Sequence, residues 1–313
     1  MTAKENLYRY YHHQTFEVMP LFGEGEHSFY PVNGFLERPP MNGGGKDWFG
    51  CEWIYSELAG APAPSMEHYV LDDICNWREK VIFPDLDAWD WKKAMEEDQV
   101  AAADREHQVV NLVICTGIFE RLHTLMGFEE SLMAMITDPE EVEAFFDRMT
   151  EYKIELIEKL HQYYNPDVIT FHDDWGTQKA MFFSPELWRQ LLKPRMKKIV
   201  DKAHECGIAF LQHSCGKMDE IIPDICEIGV DVFQCMDIND IGAALKKPGI
   251  RCAIRFPFTA SSLNPWINQD ISPKRLSERW YTRNSWSGVL PENMTRWYSR
   301  PRPGMRRWSW MNS

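Results

Sequence analysis

The sequence predicts an α/β chain whose central part is a (β/α)8 TIM barrel. Three observations carry this. From Gln108 to Ile254 short apolar runs alternate with helical patterns, and connections of this length imply a parallel sheet. No Gly-x-Gly-x-x-Gly follows any of these strands and no phosphate-binding loop occurs, so a dinucleotide fold lacks its fingerprint. Polar and reactive residues also stand at the C-terminal ends of four successive strands: Thr116, then His172, Asp173 and Asp174, then His213 and Cys215, then Asp237. In (β/α)8 barrels the chemistry gathers at that end.

Taken in order, residues 1–107 are expected to form an N-terminal aromatic-rich segment and helices packed on the barrel. Residues 1–60 have no sustained period, and Asn42-Gly43-Gly44-Gly45 is a loop by composition. Asp47 to Trp53 concentrates three aromatics, two acids and a thiol, which suits a plug on the main domain or, alternatively, a lid over a pocket. Leu71 to Trp91 is expected to be a helix ended by a turn at Phe83-Pro84-Asp85, and Lys92 to His107 a further polar helix.

Residues 108–254 are the βα units of the barrel. Val109–Cys115 is a strand, followed by a helix over Ile118–Met126 that Gly127 can close. Asp138-Pro139-Glu140-Glu141 opens a long helix to about Tyr164, with Pro at its first position and acids in its first turn. Pro166–Phe171 is the next strand, Ser184-Pro185-Glu186 caps a helix reaching Cys206-Gly207, and Ile208–Ser214 is the strand after it. Helical patterns over Asp219–Ile228 and Ile238–Lys247 separate strands at Val230–Cys235 and Ile250–Ile254.

Residues 255–313 break the pattern. They carry a net charge of +7 against −20 for the preceding residues, and hold six of the 13 Trp. No strand or helix period persists in this basic Trp/Arg-rich tail, which is read as out of frame, the result of a change of reading frame near residue 255 that leaves the barrel incomplete at its C-terminus; a genuine basic module is the alternative. The acidic body argues against nucleic acid as a partner. No run of 18 apolar residues occurs, Met1 to Tyr10 lacks the apolar stretch of a secretory signal, and the eight cysteines are scattered singly, so no membrane association and a reduced, cytoplasmic setting are expected.

His213 and Cys215 are the sharpest pair. Two apart at the end of a strand, they leave the chain on one side, which supplies two of the three protein ligands of a catalytic zinc site. Asp173 and Asp174 are adjacent and must diverge, so one is expected to cap a turn and the other to face the barrel mouth. His172 shares a face with Asp174; these three are the candidate catalytic residues.

The strings Leu71-Asp72-Asp73-Ile74 with Trp77-Arg78, Phe171-His172-Asp173-Asp174-Trp175-Gly176-Thr177-Gln178, and His213-Ser214-Cys215-Gly216 with Ile221-Ile222-Pro223-Asp224 carry a resemblance. Residues from about 68 to 254 resemble the uroporphyrinogen decarboxylase-like superfamily. The His-x-Cys-Gly string is similar to that of its zinc-dependent, corrinoid-linked methyltransferase branch, acting on coenzyme M, methanol-derived or aryl-ether methyl groups. The resemblance implies a barrel, zinc at His213 and Cys215 acting as Lewis acid, and methyl transfer between a small thiol, alcohol or aryl ether and a corrinoid. No Asp-x-His-x-x-Gly string occurs, so the corrinoid is expected on a separate partner protein. In that branch the third zinc ligand is a second cysteine far downstream. This chain has none after Cys252, so a third ligand is expected from a neighbouring strand end, with Cys235 the remaining thiol at such a place. The alternatives are a metal-free uroporphyrinogen decarboxylase of porphyrin biosynthesis, although of its arginine-rich N-terminal string only Leu7-Tyr8-Arg9-Tyr10 is seen, and an inactive frameshifted barrel.

Overall fold

The computed structural model describes residues 1–18, 20, 23–29, 38–39, 43–57, 61–241 and 252–255. The tail from residue 256, and the helix expected over 238–247 beyond Ile241, lie outside the described residues.

The N-terminal part holds helix α1 (Ala3–Tyr11), strand β1 (Glu26–Phe29), the short strands β2 (Gly45–Lys46), β3 (Glu52–Ser56) and β4 (Ala61–Pro64), and helices α2 (Trp77–Lys80) and α3 (Trp91–Glu97). The barrel units follow as β5 (Val109–Ile114), α4 (Ile118–Met126), α5 (Phe128–Thr137), α6 (Pro139–Tyr163), β6 (Val168–His172), α7 (Pro185–Leu191), α8 (Lys193–Glu205), β7 (Ala209–Ser214), α9 (Ile222–Glu227), β8 (Val232–Cys235) and β9 (Ala253–Arg255). Among the described residues six strands pair in parallel in the order β1-β5-β6-β7-β8-β9, while β2, β3 and β4 form a separate antiparallel sheet. The fold is α/β, with the parallel sheet of a (β/α)8-type barrel flanked by helices.

The stretch read as irregular over residues 1–60 therefore supplies an edge strand of the main sheet, from only four residues whose burial is broken by polar side chains. It also supplies a plug. Leu7, Tyr10 and Tyr11 of α1 pack against Val109, Val168, Ala209, Leu211 and Val232, the inward-facing residues at the starts of β5 to β8. Burying an apolar side chain of this size contributes about 1.5–3 kcal/mol, so α1 closes one end of the sheet's inner face with a sizeable gain. Above it lies a polar layer. Glu26 accepts hydrogen bonds from Tyr11 (2.7 Å) and Asn111 (3.1 Å), and Asn111 accepts one from Thr170 (2.9 Å).

The other face is apolar. Helix α6 buries Val142, Phe145, Phe146, Met149 and Ile157 of the apolar residues its sequence offers, with Leu156 and Leu160 beside them, while Ile154 is only partly buried. Other helices differ from expectation. Leu71 to Trp91 is mostly irregular around the single turn of α2, and α3 ends at Glu97 rather than near His107. The helix expected from Ser184 to Cys206 breaks at Leu192, because Pro194 falls in what becomes the first turn of α8.

In the segment Asp47 to Trp53 the side chains of Phe49, Cys51 and Trp53 are buried in the main core. Its anchor is a fully buried ion pair, Asp47 with Arg121 of α4 at 2.6 Å. Asp47 also accepts hydrogen bonds from the backbone of Phe49 and Cys51 and from the Trp53 indole, so the buried carboxylate is well satisfied. The Arg121 guanidinium lies 4.3 Å above the Phe49 ring.

Candidate functional site

β6 and β7 run side by side with His172 opposite His213. Alternation then carries Asp174 and Cys215 to the same side as those two imidazoles. The Cys215 amide donates to Asp174 Oδ1 at 2.6 Å, which ties the two strand ends together. The chain beyond them is clamped as well: Trp175 N donates to Ser214 Oγ at 3.0 Å, and Lys217 N to the Thr177 carbonyl at 2.8 Å. Gly216 has φ +103°, and a Cβ there would collide with the Gly176 backbone. The Gly after Cys215 is thus dictated by backbone approach, and it sets the direction in which the thiol leaves the strand.

Asp173 points the other way. Its carboxylate accepts the amides of Ile118 (3.1 Å), Phe119 (3.2 Å) and Glu120 (2.8 Å), so it caps the first turn of α4. Gly117 leaves the room for it, since a Cβ at that position would strike the Asp173 side chain. Burial, with the Glu120 carboxylate next, pushes Asp173 up to about 7. The capped turn aims Glu120 at the site, and Glu120 Oε2 lies 3.0 Å from His172 Nδ1. Burial works to raise the Glu120 carboxyl, but His172 beside it, with Arg38 and His123, carries it below the usual range. Burial likewise works against charge on His172, and Glu120 outweighs it, so this imidazole is raised.

His213 is the opposite case. Burial and then the neighbouring His172 lower it to about 4, leaving a neutral ring. Its Nδ1 meets Gln234 Oε1 at 2.7 Å. An imidazole N–H donating there leaves the Nε2 lone pair free, and Nε2 lies 3.4 Å from Cys215 Sγ and 3.7 Å from Asp174 Oδ1. His172 Nε2 is 4.0 Å from the same carboxylate oxygen. One ligand atom each from His172, Asp174 and His213 lies within 4.8 Å of the other two. Metal–ligand lengths of about 2.0–2.3 Å place tetrahedral ligands roughly 3.3–3.8 Å apart, and the His213–Cys215 and His213–Asp174 separations fall in that range. His213 with Cys215 and His213 with Asp174 are therefore spaced as pairs of ligands to a metal ion of this size. Burial, then Asp174, pushes the Cys215 thiol up to about 12, so a cation must displace its proton to bind sulfur.

Residues 48–255, well over half of the chain, match the family model of uroporphyrinogen decarboxylase (URO-D). The chain belongs to the uroporphyrinogen decarboxylase family. Among solved structures it is similar to a methyltransferase from Methanosarcina mazei, with 19% identity and a TM-score of 0.52, covering 67% of this chain. The chain spans 61% of the length of that structure, and at this identity the likeness concerns the fold. A further match is to Old Yellow Enzyme from Pichia sp. AKU4542, at 12% identity and a TM-score of 0.33, over 64% of this chain and 61% of that one. No curated protein matches the sequence.

In this family member His172, Asp174, His213 and Cys215, all singled out from sequence, come together at the ends of two adjacent strands. Asp173 does not join them; it is the cap. Cys235 is corrected as a third ligand. Its neighbour Gln234 faces His213, so alternation turns Cys235 outward, where it is fully buried in the main apolar core with Cys226. Thr116 is spent on the β5–α4 turn: it has φ +71° and its carbonyl accepts Lys153 Nζ at 2.8 Å. Glu120 and Gln234 are site residues that sequence reasoning missed. The available signal for Gln234 was a polar residue inside an otherwise apolar run, Val232-Phe233-Gln234-Cys235; for Glu120 it was an acid in the first turn of the helix that follows a strand, Ile118-Phe119-Glu120. Among the described residues no helix is long and apolar enough to cross a membrane.

Proposed function

We propose that the chain is a methyltransferase that moves a methyl group between a small thiol, alcohol or aryl ether and a corrinoid held by a separate protein. The observation that carries this reading is His213 Nε2, which has Cys215 Sγ at 3.4 Å and Asp174 Oδ1 at 3.7 Å, both at tetrahedral ligand spacing. These three would hold zinc, with Asp174 in the place that the related methyltransferases give to a second cysteine. When bound, zinc supplies Lewis acidity that lowers the pKa of a substrate thiol or polarises an ether or alcohol oxygen. The chain's own part is to keep His213 neutral, to present the Cys215 sulfur by the Gly216 turn, and to place the His172–Glu120 pair alongside, where His172 can carry a proton to or from the substrate oxygen or sulfur. The test measures zinc content and methylcobalamin-dependent methyl transfer. Zinc near one per chain, lost together with activity in His213→Ala, supports the reading; an active zinc-free protein unaffected by that change overturns it.

A metal-free decarboxylase is the second reading, favoured by the family match itself and by Arg38, whose guanidinium lies 4.0 Å from Glu120 beside the site. Such an enzyme holds several substrate carboxylates on cationic groups. Incubation with uroporphyrinogen distinguishes the two, because only the decarboxylase releases carbon dioxide from it.

A further inference from the structure

We propose that Gln234 is a positioning residue that holds His213 as the Nδ1–H tautomer, so that Nε2 is the nitrogen offered to the shared centre with Cys215 and Asp174. This deepens, and in its metal-binding arm rests on, the metal reading above. The argument starts from register. β7 and β8 pair with His213 opposite Gln234, so both side chains stand on the inner face of the sheet at the same height. Gln234 is 7% exposed, in a strand whose other residues are apolar. A buried amide at such a place costs free energy unless it is hydrogen-bonded, and the bond it makes is the 2.7 Å contact of Oε1 with His213 Nδ1.

That contact decides which end of the ring is chemically active. With Nδ1–H committed to Gln234, the electron pair sits on Nε2, which faces Cys215 Sγ and Asp174 Oδ1. A half-turn of the ring would put a C–H against the amide oxygen and lose the bond. The face of the ring is fixed separately, because His172 stacks on it at 4.4 Å between centroids. Stacking leaves the tautomer open; Gln234 settles it. The choice of amide over carboxylate also fits, since an amide accepts the N–H without drawing a second proton onto the ring. Partners of this kind that orient a metal-bound histidine are worth about 10–100-fold in affinity.

The experiment uses the full chain with 15N-labelled histidine, metal-free, and reads the His213 tautomer by long-range 1H–15N correlation. Zinc affinity is measured in parallel by chelator competition. The expected result is a protonated Nδ1 in the wild type, and loss of that preference with a roughly 10–100-fold fall in zinc affinity in Gln234→Leu. Gln234→Glu, which keeps an acceptor oxygen at the same reach, is expected to keep Nδ1 protonated. A wild type with the proton on Nε2 overturns the proposal, whether or not any variant folds. So does a folded Gln234→Leu with unchanged tautomer and zinc affinity. A wild type that binds no zinc but shows the Nδ1–H tautomer, lost in Gln234→Leu, supports the role of Gln234 and defeats the metal reading instead.

Discussion

The rings of His172 and His213 stack at 4.4 Å between centroids with 18° between their planes, and each is tethered through Nδ1 to a different neighbour. Glu120 holds one and Gln234 the other. The two imidazoles thus share a face yet shift in opposite directions: Glu120 outweighs burial and raises His172, while burial and then His172 itself lower His213.

The adjacent aspartates are expected to separate cleanly by mutation. Asp173→Ala removes the acceptor for three amides of α4 and should cost about 1–2 kcal/mol of stability, the usual worth of a helix cap. Asp174→Ala loses one backbone hydrogen bond, that of the Cys215 amide, and should lower the melting temperature less than Asp173→Ala while lowering zinc affinity. Thermal melts and chelator competition on the two variants check this, and a swap of the two phenotypes would reverse the assignment.

Gly216→Ala tests the turn. The substitution meets both the left-handed φ of +103° and the Gly176 backbone, so the loops after β6 and β7 must part. A loss of about 1–3 kcal/mol is expected from the strain alone, together with weaker metal binding through the displaced Cys215. Denaturant melts and zinc titration read the two effects separately.

The Arg121–Asp47 pair predicts a larger effect. Arg121→Met leaves a fully buried carboxylate without its cation, and should destabilise by about 3–5 kcal/mol. The double variant Arg121→Met with Asp47→Asn should recover part of that loss. Equilibrium urea unfolding of both decides it; equal stability of single and double variants would show that the charge is not what matters.

A pH dependence follows from His204, whose Nε2 lies 2.8 Å from Asp231 Oδ2. The hydrogen bond to Asp231 raises the imidazole above its usual value of 6.5, in spite of partial burial. A group raised on folding stabilises fully below its unfolded pKa, and that contribution is lost as the pH climbs through the raised value. His204→Gln should therefore melt lower than the wild type at pH 5.5 and nearly level with it at pH 9. The pair is half-exposed, so screening keeps the difference below about 1 kcal/mol.

Much of this molecule was legible in the residues themselves. The apolar runs at Val109, Val168, Ala209 and Val232 became parallel strands because they are short, bounded by turns and separated by amphipathic helices. The pairing of His172 with Asp174, and of His213 with Cys215, followed from period-two alternation, which needs no knowledge of the rest of the chain. Local rules failed where stability is borrowed from elsewhere. Strand β1 has no pattern of its own and exists because β5 offers it a ladder, and α1 is recognisable as a plug only once the starts of four strands surround it.

The sequence alone determined which groups stand at the strand ends and which face each shares with its neighbour two positions away, because those relations depend only on local backbone geometry. Only the tertiary structure decided that Asp173 caps α4 while Asp174 meets His213, and that Gln234 rather than Cys235 faces the site. Those choices depend on the register of β6 against β7 and of β7 against β8. Register is a relation between residues distant in the chain, and a shift of one position would have turned every one of these side chains to the opposite face.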